Sequence, residues 1–173
     1  LLDTTISSQI GWIQAVNAAP YFAAAQFASP AQILAMAPVD AKLPYPNAMR
    51  RYARATPYAG QRNRAGFDRE IGALKTARET GHFKMMVDQG VPANELLQLA
   101  ETVARARWAY ASRNYAGSAG VYRDAIAIED KITYMEPGWW YYPVNQSLGA
   151  ALYRAGKYAE ARDAFTKALA HSP

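Results

Sequence analysis

The chain of 173 residues contains no cysteine and only two histidines, His82 and His171. The first absence excludes a disulfide framework and every thiolate metal site. The second leaves too few imidazoles for a histidine-based metal centre, and neither H-E-x-x-H nor an EF-hand ladder occurs. No metal site and no cofactor is therefore expected. Long apolar runs are missing as well. The richest stretch, AAPYFAAAQFA from Ala18, is too short to cross a bilayer and carries Pro20, so no membrane span is expected. The opening LLDTTISSQI has no basic start followed by an apolar core and does not read as an intact signal peptide; it reads as the edge of a fragment or of a processed chain. Valine and isoleucine are sparse while alanine is abundant, a balance that favours helix over strand.

Half of the residues are apolar, enough for one domain with a core. The net charge of +5 is concentrated: residues 42–84 hold ten Lys and Arg against Asp68, Glu70 and Glu79, a local net of +7 that leaves −2 elsewhere. Such a stretch is either a solvated Arg-rich helix surface or a patch for an anionic partner. Within it Arg50, Arg51 and Arg54 stand on one helix, and Tyr45, Tyr52 and Tyr58 are interleaved. No recognition helix or RNP-type strand accompanies them, so no specific nucleic-acid binding is expected and the tyrosines are assigned to packing.

The closing segment, LGAALYRAGKYAEARDAFTKALAHSP, supplies the pattern that organises the rest. Leu148, Ala151, Leu152 and Ala155 share one helical face; Gly156 suits a left-handed turn; Tyr158, Ala161, Ala164, Phe165, Ala168 and Leu169 share the next. Pro173 marks the stop. Two helices joined this tightly are antiparallel, with Gly149 and Ala161 small at their crossing. RARWAYASRNYAGSAGVYRDAIAIED repeats the arrangement, with Ala106 for Gly149, Tyr115 for Tyr158, Ser118 for Ala161, Tyr122 for Phe165 and Ala125 for Ala168. A degenerate copy follows from Ala53 for Gly149, Gly60 for Gly156, Ala65 for Ala161 and Gly72 for Ala168, with Arg62 and Arg69 in place of the two aromatics. A fourth, weaker copy rests on Ala28 and Ile33, and successive copies lie 32, 53 and 43 residues apart.

Gly149, Gly156, Tyr158, Ala161, Phe165 and Ala168 together resemble the tetratricopeptide repeat family, and APYFAAAQF, LPYPNAMRRYAR and YMEPGWWYYPVNQSLGAAL are similar to bacterial repeat proteins of poorly defined role. The resemblance implies an all-α fold over residues 1–173, with antiparallel helix pairs at about 4–40, 44–80, 92–131 and 139–173 stacked as a short right-handed superhelix, an α-α solenoid with irregular loops. It implies a non-catalytic, protein- or peptide-binding scaffold of the bacterial cytoplasm or periplasm, whose partner lies in the groove of the stacked pairs.

The residues themselves offer little reaction chemistry. AGSAG around Ser118 lacks the preceding glycine of a nucleophile elbow, Ala116 standing there. Glu129 and Asp130 are adjacent on a helix, point about 100° apart and are read as surface charges. NQS at Asn145 is a glycosylation triplet inside a predicted helix. The distinctive stretch is TYMEPGWWYYP from Thr133. Its aromatics either plug a gap between repeats or form a binding surface, in which Glu136 anchors a cationic group. The partner-binding residues expected are therefore Arg50, Arg51 and Arg54, for a protein or an acidic peptide, and Tyr134, Glu136, Trp139 and Trp140. A small-ligand or enzyme-associated pocket at Tyr134–Tyr142 is the alternative. Part of the apolar face of the last helix, with Phe165 and Leu169, lacks a cover in this sequence, so a further expectation is that it is capped by self-association through that helix, by another chain or by residues beyond this sequence.

Overall fold

A computed structural model describes residues 3–136 and 138–171, the side chain of His171 excepted; Pro137 of the aromatic turn and the stop assigned to Pro173 lie outside the described residues. Among the described residues there is no strand. The helices are α1 (Thr4–Gln9), α2 (Gly11–Val16), α3 (Ala19–Phe27), α4 (Pro30–Ala35), α5 (Pro44–Gly60), α6 (Arg64–Thr80), α7 (Lys84–Asp88), α8 (Ala93–Ala111), α9 (Tyr115–Glu129), α10 (Val144–Arg154) and α11 (Tyr158–His171). Adjacent helices pack as pairs, α5 on α6, α8 on α9 and α10 on α11, and the pairs stack through α5 on α8 and α9 on α10, as a helical-repeat solenoid does.

The three pair turns are built alike. A reversed bond closes each, from Asn63 N–H to Tyr58 O, Asn114 N–H to Ala109 O and Lys157 N–H to Leu152 O, all at 2.9 Å. Just before it stands a residue in the left-handed region: Arg62 at φ 54°, Arg113 at 64° and Gly156 at 78°. Asn63 and Asn114 then cap the second helix by accepting from Gly66 N–H and Gly117 N–H. This geometry corrects the register of the α5–α6 copy. Gly60, expected at the turn, is the last residue of α5, and Arg62 takes the place of Gly156. Shifted by two residues, the positions of Phe165 and Ala168 fall to Ile71 and Leu74, both buried, and that of Tyr158 to Arg64, so only one of the two aromatics is replaced by arginine.

The helices approach closely where one side chain is small. An added Cβ on Gly149 would lie 2.6 Å from the Phe165 ring, and on Gly66 2.5 Å from the Tyr58 ring. Between α8 and α9 the crossing is Ala106 with Ser118, whose hydroxyl donates to the Ala106 carbonyl at 2.9 Å. Ser118 is thus a buried packing residue.

The N-terminal region is divided into short helices, α1 to α4. Ile10 is extended (φ −118°), and the break is held from outside, since Gln89 accepts from Gly11 N–H at 2.6 Å and donates to Gln9 O at 3.1 Å. Pro44 and Pro46 occupy the first turn of α5, where missing N–H groups cost nothing. The segment after Gly81 contains α7, which buries Met86.

Because a left-handed conformation costs a non-glycine residue about 1 kcal/mol, Arg113→Gly, at an exposed position, is expected to raise Tm by about 2–4 °C, and Gly156→Ala to lower it comparably; thermal unfolding followed by circular dichroism measures both.

Candidate protein-interaction groove

The basic triplet of α5 is turned inward along its length. Glu70 of α6 is 1 % exposed, and its carboxylate accepts from Arg51 at 3.0 Å and from Arg54 at 3.1 Å. Arg54 also donates to the Leu34 carbonyl, and Arg50 to the Met36 carbonyl at 2.7 Å, so the two reach the C-terminal end of α4. Burial, then the neighbouring Arg54 and Arg51, holds the Arg50 guanidinium below its ordinary value. The three guanidiniums thus tie α4, α5 and α6 together, and Arg51, 40 % exposed at its side chain, keeps more access to solvent than Arg54 at 15 %.

The aromatic set divides. Trp140 is buried, packed edgewise on Phe22 of α3 and Tyr52 of α5 at 5.4 and 5.3 Å. Tyr141 stacks on Phe22 at 4.9 Å and shares a 2.7 Å hydrogen bond between its hydroxyl and that of Tyr52. Trp139 is half-buried against the core. Tyr134 is 69 % exposed and donates to the equally exposed Glu136. Among the described residues no hydrogen bond, ion pair or ring contact joins Arg50, Arg51 or Arg54 to Tyr134, Glu136, Trp139 or Trp140.

Between the first helices and the two central pairs lies an open groove with a cavity of about 560 Å³. Ala28, Ile33, Pro57 and Gly60 give it short apolar walls; Thr56, Gln61, Tyr110, Tyr122 and Arg107 are its polar members. Arg107 is the residue that sequence reasoning missed. On α8 it interrupts the apolar row Ala100, Val103, Ala104, Tyr110 and Ala111, and a charge on that stripe was the available signal. Its guanidinium donates to the Tyr141 hydroxyl at 3.2 Å and lies 5.9 Å from the rings of both Tyr52 and Tyr142. Among the described residues no carboxylate is within ion-pair distance of it. Burial raises the Tyr52, Tyr122 and Tyr141 phenols above their ordinary value, the last to about 12, so all three are neutral near pH 7. The cage therefore offers rings and hydroxyls but no negative charge.

Glu129, expected at the surface, closes the aromatic loop instead. Its two oxygens accept from Val144 N–H, at the first turn of α10, at 3.3 and 3.2 Å. Burial pushes its carboxyl up to about 7, opposed by the Val144 N–H and aided by Asp130. The folded chain thus keeps this proton to higher pH than the unfolded chain, and the associated stability is lost as pH rises from the ordinary carboxylate value to about 7. Relative to the native protein, Glu129→Gln is expected to be unchanged near pH 5 and more stable at pH 8 by on the order of 1 kcal/mol after allowing for solvent screening, about 2–4 °C in Tm; paired melting curves at the two pH values test it.

The described residues contain no group of three His, Asp or Glu able to hold a metal, and no described helix is long and apolar enough to cross a membrane. Residues 144–173 match the family model for the tetratricopeptide repeat. The match covers α10 and α11, the pair that carries Gly149 and Gly156, so this final pair is similar to a tetratricopeptide repeat, and the chain around it has the helical-repeat architecture. Neither a curated protein nor a solved structure matches the chain. A repeat of this type points in general to a protein–protein interaction scaffold.

Proposed function

We propose that this chain is a non-catalytic scaffold that holds a segment of another protein in the groove walled by α4, α5 and α8. The observation that carries the reading is the groove itself: an open apolar trough between stacked helix pairs, with walls of Ala, Pro, Ile and Gly. Small side chains leave room for the partner's, and an open trough admits a chain that passes through. This favours a scaffold over the small-ligand pocket at Tyr134–Tyr142, since the groove lining includes none of those residues. In this reading Arg50 and Arg54 shape the α4 wall, Trp140 supports the groove from behind, and Arg51, Tyr134, Glu136 and Trp139 supply outer contacts. Reversing the charge of Arg51 and Arg54 would set like charges against buried Glu70, so a cleaner test fills the groove. Gly60 lines the groove and a Cβ on it meets nothing within 4 Å, so Gly60→Trp is expected to leave the fold intact and to narrow the trough. Peptides selected from a random display library on the native chain are expected to lose at least tenfold in affinity for Gly60→Trp at unchanged Tm; equal binding removes the groove from the function.

A second surface is open on α11, where Tyr158 is 64 % and Leu169 76 % exposed beside partly exposed Phe165. These are positions at which a tetratricopeptide pair receives its neighbour, and we assign them to self-association of two copies. Light scattering is expected to show a dimer that Leu169→Glu disperses; a strict monomer for the native chain removes this surface.

A further inference from the structure

The groove contains one cation, Arg107, that no carboxylate among the described residues balances. Resting on the reading above, that the groove holds a protein segment, we propose that Arg107 receives a carboxylate from that segment, an Asp or Glu side chain flanked by small apolar residues.

Three observations carry this. The basic residues of α5 are already committed, Arg51 and Arg54 to Glu70 and Arg50 to a carbonyl, whereas among the described residues Arg107 hydrogen-bonds to the Tyr141 hydroxyl alone. A guanidinium presents five donors, and the bond to Tyr141 leaves an edge able to bind a carboxylate through two parallel hydrogen bonds. Arg107 lines the cavity, so that edge is reachable from the groove. The rings of Tyr52 and Tyr142 at 5.9 Å fix the guanidinium in place, and an ordered, partly desolvated cation pairs more strongly than one waving in water.

Charge also selects the anion. Among the described residues no second cation lines the cavity, and the phenols beside Arg107 are neutral, so one negative charge balances the site. A phosphate, close to two charges at neutral pH, would bring an excess negative charge into an apolar trough. The walls of Ala28, Ile33 and Pro57 then favour apolar residues on either side of the acid.

Arg107 also packs against the aromatic loop, so its test must separate binding from support. Random eight-residue display libraries are selected in parallel on the native chain, on Arg107→Met, which keeps the length and apolar contacts without the charge, and on Gly60→Trp. Enrichment of Asp or Glu at one position on the native chain, lost on Arg107→Met, is the result expected. Synthetic versions of a selected peptide with Glu, Gln or phosphoserine at that position are then titrated against the native chain, where Glu→Gln is expected to weaken binding at least tenfold. This second measurement needs no variant to fold. Equal affinity for the Glu and Gln peptides, acid enrichment undiminished on Arg107→Met, or tighter binding of phosphoserine than of Glu each overturns the assignment. Peptides that bind Gly60→Trp as well as the native chain show instead that the groove reading has failed.

Discussion

Antiparallel helices in this molecule come close enough to form stable pairs because at each crossing one side chain is absent or nearly so. Gly149 lies under the Phe165 ring, Gly66 under the Tyr58 ring, and Ala106 against Ser118. Backbone proximity brings the neighbouring apolar rows into contact, and burial of those rows supplies most of the favourable free energy of folding. Each pair turns through one left-handed residue, with Arg62, Arg113 and Gly156 in equivalent places. A pair formed in this way still has an apolar outer face, and stacking α5 on α8 and α9 on α10 covers it. The groove is the space that this stacking leaves on one side.

Charge is distributed by the same packing. The concentration of arginine between residues 42 and 84 is in part an internal matter, because Glu70 is buried and needs the guanidiniums of Arg51 and Arg54 to offset its desolvation. Several other arginines sit in exposed ion pairs, such as Arg64 with Asp68 and Arg123 with Glu160, each worth little in water. Arg107 differs from all of these in standing on an apolar stripe, held by tyrosines that carry no charge.

The aromatic loop resolves the two readings of its sequence by dividing them between residues. Trp140 and Tyr141 fill the junction of α3, α5 and α8, and their contact with Phe22 joins parts of the chain more than a hundred residues apart. Tyr134 and Glu136 project outward. Glu129 caps α10 from the end of α9, so the loop is fastened at its base as well as at its tip, and the last repeat docks on a fixed platform.

The sequence alone determined the helical class, the pairing of α8 with α9 and of α10 with α11, the small residues at their crossings, and the family resemblance of the final pair. These follow from local rules: helical periodicity, glycine in a left-handed turn, and size at fixed spacing are all written within about thirty residues. The tertiary structure alone decided the register of the α5–α6 pair, since a left-handed arginine carries no sequence signature and a glycine two residues away offered a false one. It decided the break at Ile10, which Gln89 imposes from eighty residues downstream. It decided the fates of the arginines and of Glu129, because a charged side chain is neutralised by whatever lies beside it in space, and periodicity along a helix does not say which helix that neighbour comes from.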